Sequence, residues 1–408
     1  MWDPINGEMP KFWPPKPSRF WGVVLEPVRL HYLHKFYGIC DVKLEGTERL
    51  RVIGPADGAL IAPNHSHDSD PHVMMHVGRE LGRQFYFMAA WQIFRMHKGL
   101  DGFVMQRMGA FSVDREGCDR RAVKQAVELL CGGQHLVVFP EGEVYRTNER
   151  LTPLLEGVPF MALSALRDLE KASAGCKVWI VPAAIRYRYV DDIRPQLEDS
   201  MTRLEERMKV KPKSGTPLHE RITRYGEFLL TLKEKEITGH SREHESDLHG
   251  RVAWLIDELL CRREQVYLKK TPSAETVPLR VKALRRHLIE LWTDTKAEPE
   301  VRKHAREALD DVQLALQLYS YPGNYVSENP TIERMAETIE KYEEDLEGVA
   351  RPKGRRAATV RFGDPIDLKQ HATAGRPRAV TASVTQKLED AIEALMRGAP
   401  NVSPATRL

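Results

Sequence analysis

Apolar and polar positions recur along the chain with two different periods. Up to about residue 190, short apolar runs dominate. GICDVKLE at 38–45 alternates as a half-buried strand does, and LIAPN at 60–64 is a short buried strand ending in a polar cluster. FYFMAA at 85–90, AFSV at 110–113, HLVVFP at 135–140 and VWIVPAAI at 178–185 read as further strands. One helical stretch starts near Pro71, and another near 117–132 ends in Gly132-Gly133. Strands alternating with helices predict an α/β fold with a largely parallel sheet.

Past 190 the period lengthens. Leu218, Ile222, Tyr225, Leu229 and Leu232 recur in steps of four and three. So do Val301, Ala305, Ala308, Val312, Ala315 and Tyr319, and then Ile332, Met335, Ile339, Tyr342 and Leu346. Each set is one apolar stripe on a charged helix. The stripes are expected to pack on each other; a coiled-coil partner is the alternative. After the basic run RPKGRR at 351–356, the strand signal returns in ATVRF at 358–362, before the turn FGDP. The pattern predicts a mostly parallel mixed sheet flanked by helices, with a large all-helical insertion. Its expected parts are an N-terminal aromatic and basic arm with a helix at 1–37, a core at 38–190, the insertion at 191–350, and a closing strand plus C-terminal helix at 351–408.

Composition narrows the class. Of the 408 residues, 29% are charged and 42% hydrophobic, which argues against a disordered chain and against a membrane bundle. A net charge of +3 gives no general attraction for polyanions, and no nucleic-acid partner is expected. The five cysteines are scattered without a C-x-x-C pair, so neither a zinc knuckle nor a disulfide scaffold is expected. The most apolar stretch, FWGVVLEPVRLHYLHKFYGI, is broken by Glu26, Pro27, Arg29 and Lys35. The opening MWDPINGEMPKFWPPKP lacks the basic and apolar regions of a signal peptide. A cytoplasmic protein, soluble or peripheral on a membrane, is the expectation. Trp2, Phe12, Trp13, Phe20 and Trp21, with Arg19, Arg29, His31 and Lys35, suit an interfacial anchor. The alternative is that these aromatics shield a sheet edge. The run RPKGRR is either an exposed loop or a contact for anionic lipid.

Three segments carry candidate chemistry. In NHSHDSDP at 64–71, a buried strand delivers His65 to a strand-to-helix turn. Asp70, five residues on, would lie about 140° off-face in a continuous helix. The two meet only if His65 precedes the helix, as Pro71 suggests. An imidazole held by a carboxylate has a fixed tautomer and suits a general base. Two other readings compete: Asp70 as a helix N-cap, and a metal-dependent hydrolase using His65, His67 and Asp70. In FPEGEVYR at 139–146, Glu141 ends a buried strand, Gly142 permits close approach of a ligand, and Arg146 can fork onto a phosphate or carboxylate. The competing reading is a surface turn with weak pairing among Glu141, Glu143 and Arg146. In GAFSVDRE at 109–116, Arg115 leaves its strand on the same edge as His65 and Glu141 if the sheet is parallel.

The order H-x-x-x-x-D after a strand, G-x-x-x-V-x-R, FPEG and IVPAAIRY resembles the glycerolipid acyltransferase family of lysophosphatidic acid and glycerol-3-phosphate acyltransferases. The resemblance spans about 38–190 and 351–368, and does not extend to the helical insertion. It implies transfer of a fatty acyl group from an acyl-CoA or acyl-carrier-protein thioester to a hydroxyl of a lysophospholipid or glycerol phosphate. It makes His65 the general base and Asp70 its orienting partner, and puts Arg115, Glu141 and Gly142 at the acceptor, with Arg146 as a further substrate-binding candidate from its own place after FPEG. No metal and no cofactor beyond the thioester co-substrate is expected. The family's third motif usually reads F-P-E-G-T-R-S. Here Glu143-Val144-Tyr145 replaces its last three residues, and Arg146 stands two places late. Glu143 would repel a phosphate, so a neutral, zwitterionic or amine-bearing acceptor stands as an alternative, and a non-catalytic lipid-binding scaffold as another.

Overall fold

Valine, isoleucine and aromatic side chains pack well on a pleated surface, and the runs that contain them become strands. The computed structural model describes residues 11–117, 119–173, 175–211, 215–269, 275–372 and 377–398. Trp2 lies outside them. The strands are β1 (Ile39–Glu45), β2 (Gly58–Pro63), β3 (Phe85–Ala90), β4 (Ala110–Val113), β5 (His135–Val137), β6 (Val178–Tyr189), β7 (Arg356–Phe362) and β8 (Ile366–Asp367). They form one sheet in the order β1-β7-β6-β2-β5-β3-β4, with β8 added to β6. Along the run β6-β2-β5-β3-β4 each adjacent pair is parallel, whereas β8 lies antiparallel on β6. The pair β1 and β7 is parallel within itself, but β7 runs antiparallel to β6. The sheet is therefore mixed and mostly parallel.

Period-two alternation sends neighbouring residues of the central strands into opposite layers. Leu60, Leu136 and Ile180 pack with Ala126, Leu130, Met161, Leu166, Val384 and Leu388, which lie on the helices Arg120–Cys131, Gly157–Lys171 and Pro377–Arg397. Ile61, Val137 and Val181 face the other layer, with Val73, Met74 and Val77 of the helix Asp70–Glu80. Gly58 opens β2 where a Cβ would lie 2.2 Å from the Leu130 carbonyl oxygen, so no other residue fits. The run HLVVFP pairs as a strand only over His135–Val137. Pro140 has no N–H to extend the ladder, and the chain turns away there.

The arm splits in its behaviour. Trp13 exchanges bonds with Ser112 on β4 (2.8 and 3.0 Å), and Lys16 and Ser18 donate to the carbonyls of Gln106 and Arg107. Residues 11–18 thus cover the open edge at β4. Phe12 and Trp13 pack against the core layers. Phe20, in contrast, is exposed. Arg29 is buried, holding Glu26 (2.8 Å) and the His72 carbonyl (2.9 Å), so it is no part of a solvent-facing anchor.

Residues 192–353 form a separate compact unit, entered after Asp191 and left before Gly354. Its helices include Leu218–Thr238, Leu248–Arg263, Val277–Thr293, Pro299–Tyr319 and Ile332–Glu347. Ala305, Ala308, Val312 and Ala315 pack with Leu255, Leu259, Leu284 and Leu288 within the unit, which satisfies that stripe without a partner chain. The basic run divides: Arg351 and Arg355 are exposed, as in a surface loop, while Lys353 and Arg356 are held by the fold. Lys353 is buried on Glu343 (2.7 Å) and Ser200 (2.9 Å), Arg355 pairs with Asp191 (2.8 Å), and Arg356 reaches His67 (3.0 Å). No helix among the described residues is long and apolar enough to cross a membrane.

Candidate active site

Because β2, β5, β3 and β4 are parallel, their C-terminal ends share one edge of the sheet. His65 follows β2, Arg115 follows β4 and Glu141 follows β5. His65 lies in the turn before the helix Asp70–Glu80, where Pro71 fits the first turn. The Asp70 side chain points back into that turn. Its Oδ2 meets His65 Nδ1 (2.9 Å) and accepts the His67 N–H (2.9 Å), and its Oδ1 accepts the Tyr187 hydroxyl. Ser69, not Asp70, occupies the N-cap position. The cap reading of Asp70 therefore falls, because its oxygens meet His65, His67 and Tyr187 and none of the N–H groups of the helix's first turn.

A carboxylate only accepts, so the proton of His65 sits on Nδ1 and the lone pair on Nε2. The Phe139 ring stacks on the imidazole, centroids 4.0 Å apart. Asp70 is wholly buried, whereas 16% of the His65 side chain is exposed. One face of the dyad is thus held in protein and the other can meet a reactant.

Glu141 is buried. Its Oε1 accepts the His65 N–H (2.6 Å), and its Oε2 accepts the Thr152 N–H (3.0 Å) and the Thr152 hydroxyl. Burial pushes its carboxyl up to about 7, against the pull of the Thr152 and His65 donors. Both oxygens are engaged by the fold, so Glu141 braces the histidine turn. Gly142 has φ +79°, and a Cβ there would lie 2.6 Å from Leu155 Cδ1. The turn itself demands glycine. Arg115 donates to the Gly142 carbonyl (3.2 Å) and pairs with Glu143 (2.8 Å), both partly exposed. Arg146 pairs with Asp68 (2.9 Å), beside the histidine turn. The surface-turn reading of FPEGEVYR fails for Glu141 but describes part of the environment of Glu143 and Arg146.

His67 is committed elsewhere. Its Nε2 lies 3.0 Å from Arg356 Nη1 and its Nδ1 2.7 Å from Ser69 Oγ. Burial, with help from Arg356 and Arg146, holds it well below the usual histidine range. His65, His67 and Asp70 do not converge as ligands. Among the described residues no group of three or more His, Cys, Asp or Glu side chains is arranged to hold a metal ion.

Several contributors carried no role in the sequence reading. Phe139 and Tyr187 stood inside quoted motifs, and period-two alternation puts Tyr187 on the same strand face as Ile185 and Tyr189. Thr152 had no signal. Asn64 bonds both the N–H (2.7 Å) and the carbonyl (3.1 Å) of Ile185, tying the end of β2 to β6.

Residues 41–186 match the acyltransferase family model. The match takes in the turn of His65 and Asp70, Arg115 and the FPEG segment. No curated protein matches the chain.

Proposed function

We propose, from the match of residues 41–186 to the acyltransferase family model and their resemblance to glycerol-3-phosphate and lysophosphatidic acid acyltransferases, that the chain acylates a hydroxyl of a lysophospholipid or glycerol phosphate, with acyl-CoA or an acyl-carrier protein as donor. The observation that carries this reading is the dyad: His65 Nδ1 on the buried Asp70, with the lone pair of Nε2 on the partly exposed side. Nε2 takes the proton of the acceptor hydroxyl. The alkoxide attacks the thioester carbonyl, the tetrahedral oxyanion collapses, and the thiolate leaves as the ester forms. The proton on Nε2 returns to the thiolate. Attack by the acceptor itself needs no acyl-enzyme, metal or redox cofactor. Arg115, Gly142 and Arg146 border the acceptor, and Glu141 acts by holding the His65 turn.

A second reading concerns the acceptor head group. The Arg115 guanidinium is already paired with Glu143 at 2.8 Å. Such a pair suits a zwitterionic or hydroxyl-rich head group, whereas a phosphate must displace Glu143 or share Arg115 with it.

The donor and acceptor chains imply a lipid surface, and we place the protein peripherally on the cytoplasmic face of a membrane. Phe20, Val23, Val28 and Phe36 are exposed on the segment 19–36, and Trp21 meets Phe103 edge-on at 5.3 Å beside the exposed Leu100. Arg19 and Lys35 flank this apolar face.

The test is an acyl-transfer assay with a panel of lysolipid and glycerol phosphate acceptors, run on wild type and His65→Ala. Wild type should acylate at least one acceptor, and His65→Ala should lose about 10²–10⁴ in rate while melting normally. A variant within about threefold of wild type would remove His65 from the mechanism.

A further inference from the structure

We propose that Tyr187 is a positioning residue of the dyad, the last donor of a one-way hydrogen-bond chain that runs from Arg356 through His67 and Ser69 to Asp70. The proposal rests on the reading of His65 and Asp70 as the catalytic pair.

The direction of every bond follows from its two ends. Arg356 Nη1 lies 3.0 Å from His67 Nε2, and a guanidinium can only donate. Nε2 of His67 must accept, so the single proton of the neutral ring sits on Nδ1. That nitrogen lies 2.7 Å from Ser69 Oγ, which takes the proton as a bond. The Ser69 hydroxyl then donates to Tyr187 Oη at 2.9 Å, and Tyr187 donates to Asp70 Oδ1. A carboxylate ends the chain because it can only accept. The Ser69 N–H also approaches His67 Nδ1, at 3.1 Å, a contact that favours the opposite tautomer. Arg356 decides between the two, since that tautomer would set an N–H against a guanidinium N–H.

Burial gives the chain its effect. Ser69, Asp70 and Tyr187 are all buried, so no solvent replaces a lost donor. Burial and the neighbouring Asp70 keep the Tyr187 phenol well above its ordinary range, so it always has a proton to give. With Oδ1 taken by Tyr187, Asp70 cannot swing away, and Oδ2 stays on His65 Nδ1. Arg356 opens β7, and Tyr187 lies on β6 beside it, with Arg356 paired to Tyr189. The closing strand thereby reports to the catalytic imidazole through hydrogen bonds alone.

The test combines kinetics with ring-nitrogen NMR of isotope-labelled histidine. Tyr187→Phe removes one hydroxyl. It should lower kcat by about tenfold to a hundredfold, because a bond to a charged group is lost inside the protein. The acceptor KM should stay within about twofold, since no substrate contact changes. The spectrum of wild type should show His67 protonated on Nδ1. Arg356→Met should release that tautomer and slow turnover, and Arg356→Lys, which keeps a donor, should recover most of the rate. A purely structural role for Tyr187 would lower the melting temperature and leave kcat per folded molecule unchanged, which overturns the proposal. So does a wild-type His67 protonated on Nε2. If wild type acylates no acceptor, the acyl-transfer reading falls, and the His67 spectrum alone upholds or overturns the chain.

Discussion

Asp70 meets three donors and offers two oxygens: His65 Nδ1 and the His67 N–H at Oδ2, and the Tyr187 hydroxyl at Oδ1. An amide in its place must turn an NH2 toward one of these donors. Asp70→Asn is thus expected to cost about 1–3 kcal/mol of stability. It should also cost at least about 10² in kcat, through loss of the His65 tautomer. Kinetics alongside thermal melting check this. Full activity would show that the imidazole is oriented by something else. At the acceptor side, Glu143 is the residue to change. Replacing it with Thr frees Arg115 and removes a negative charge. The KM of phosphate-bearing acceptors should fall by roughly fivefold, about 1 kcal/mol at an effective dielectric near 20. If Glu143→Thr destroys activity and phosphorylated acceptors never compete, the pair with Arg115 reads a cationic or hydroxyl-rich head group.

Between elements, Glu141 does what no local signal announced. It stands after β5, yet its oxygens hold the His65 N–H after β2 and Thr152 further along the chain. This ties two loops on one sheet edge, so the height of His65 above the sheet depends on a neighbouring strand. Burial raises this carboxyl from 4.5 to about 7. The folded state therefore binds a proton more tightly than the unfolded chain. Its contribution is full below the unfolded value and is lost as pH rises through about 7. Relative to Glu141→Gln, wild type should gain up to about 3 kcal/mol of stability as pH falls from about 8 to about 4.5. Denaturant melts of the two proteins across that range measure the difference directly. A constant difference would mean that Glu141 keeps an ordinary carboxyl.

At the scale of the whole molecule, the chain consists of a sheet unit, whose residues 41–186 match the acyltransferase family model, and a helical unit that closes its own core. The apolar face at 19–36 belongs to the sheet unit. Phe20 and Phe36 stand 68% and 66% exposed, more than a domain core would leave in water without a use. If that face enters a lipid interface, each aromatic contributes about 1.5–3 kcal/mol of burial. Phe20→Ser with Phe36→Ser should then weaken binding to anionic vesicles at least about tenfold, with activity on a short-chain soluble acceptor unchanged. Co-sedimentation decides it. Equal binding before and after would assign the face to another role.

The strands read at 38–45, 60–64, 85–90, 110–113 and 178–185 overlap β1, β2, β3, β4 and β6, because side-chain period and β-branching are local properties, although β6 runs on to Tyr189. The same holds for the turn between His65 and Asp70, since five residues in a helix cannot bring the two together. Parallel strands then predicted that His65, Arg115 and Glu141 leave one edge. The partners of the buried polar groups were not legible. Tyr187 reaches Asp70 across 117 residues, and Arg356 reaches His67 across 289. The run that contains Arg356 reads as solvated charge until β7 is inserted between β1 and β6. Glu143 likewise reads as a threat to a phosphate until Arg115 is seen to hold it. Patterning along the chain determined which segments are strands and helices and which residues could do chemistry. Tertiary structure decided which donors meet which acceptors, because a buried polar group must find its partner among whatever side chains the closed sheet brings within reach.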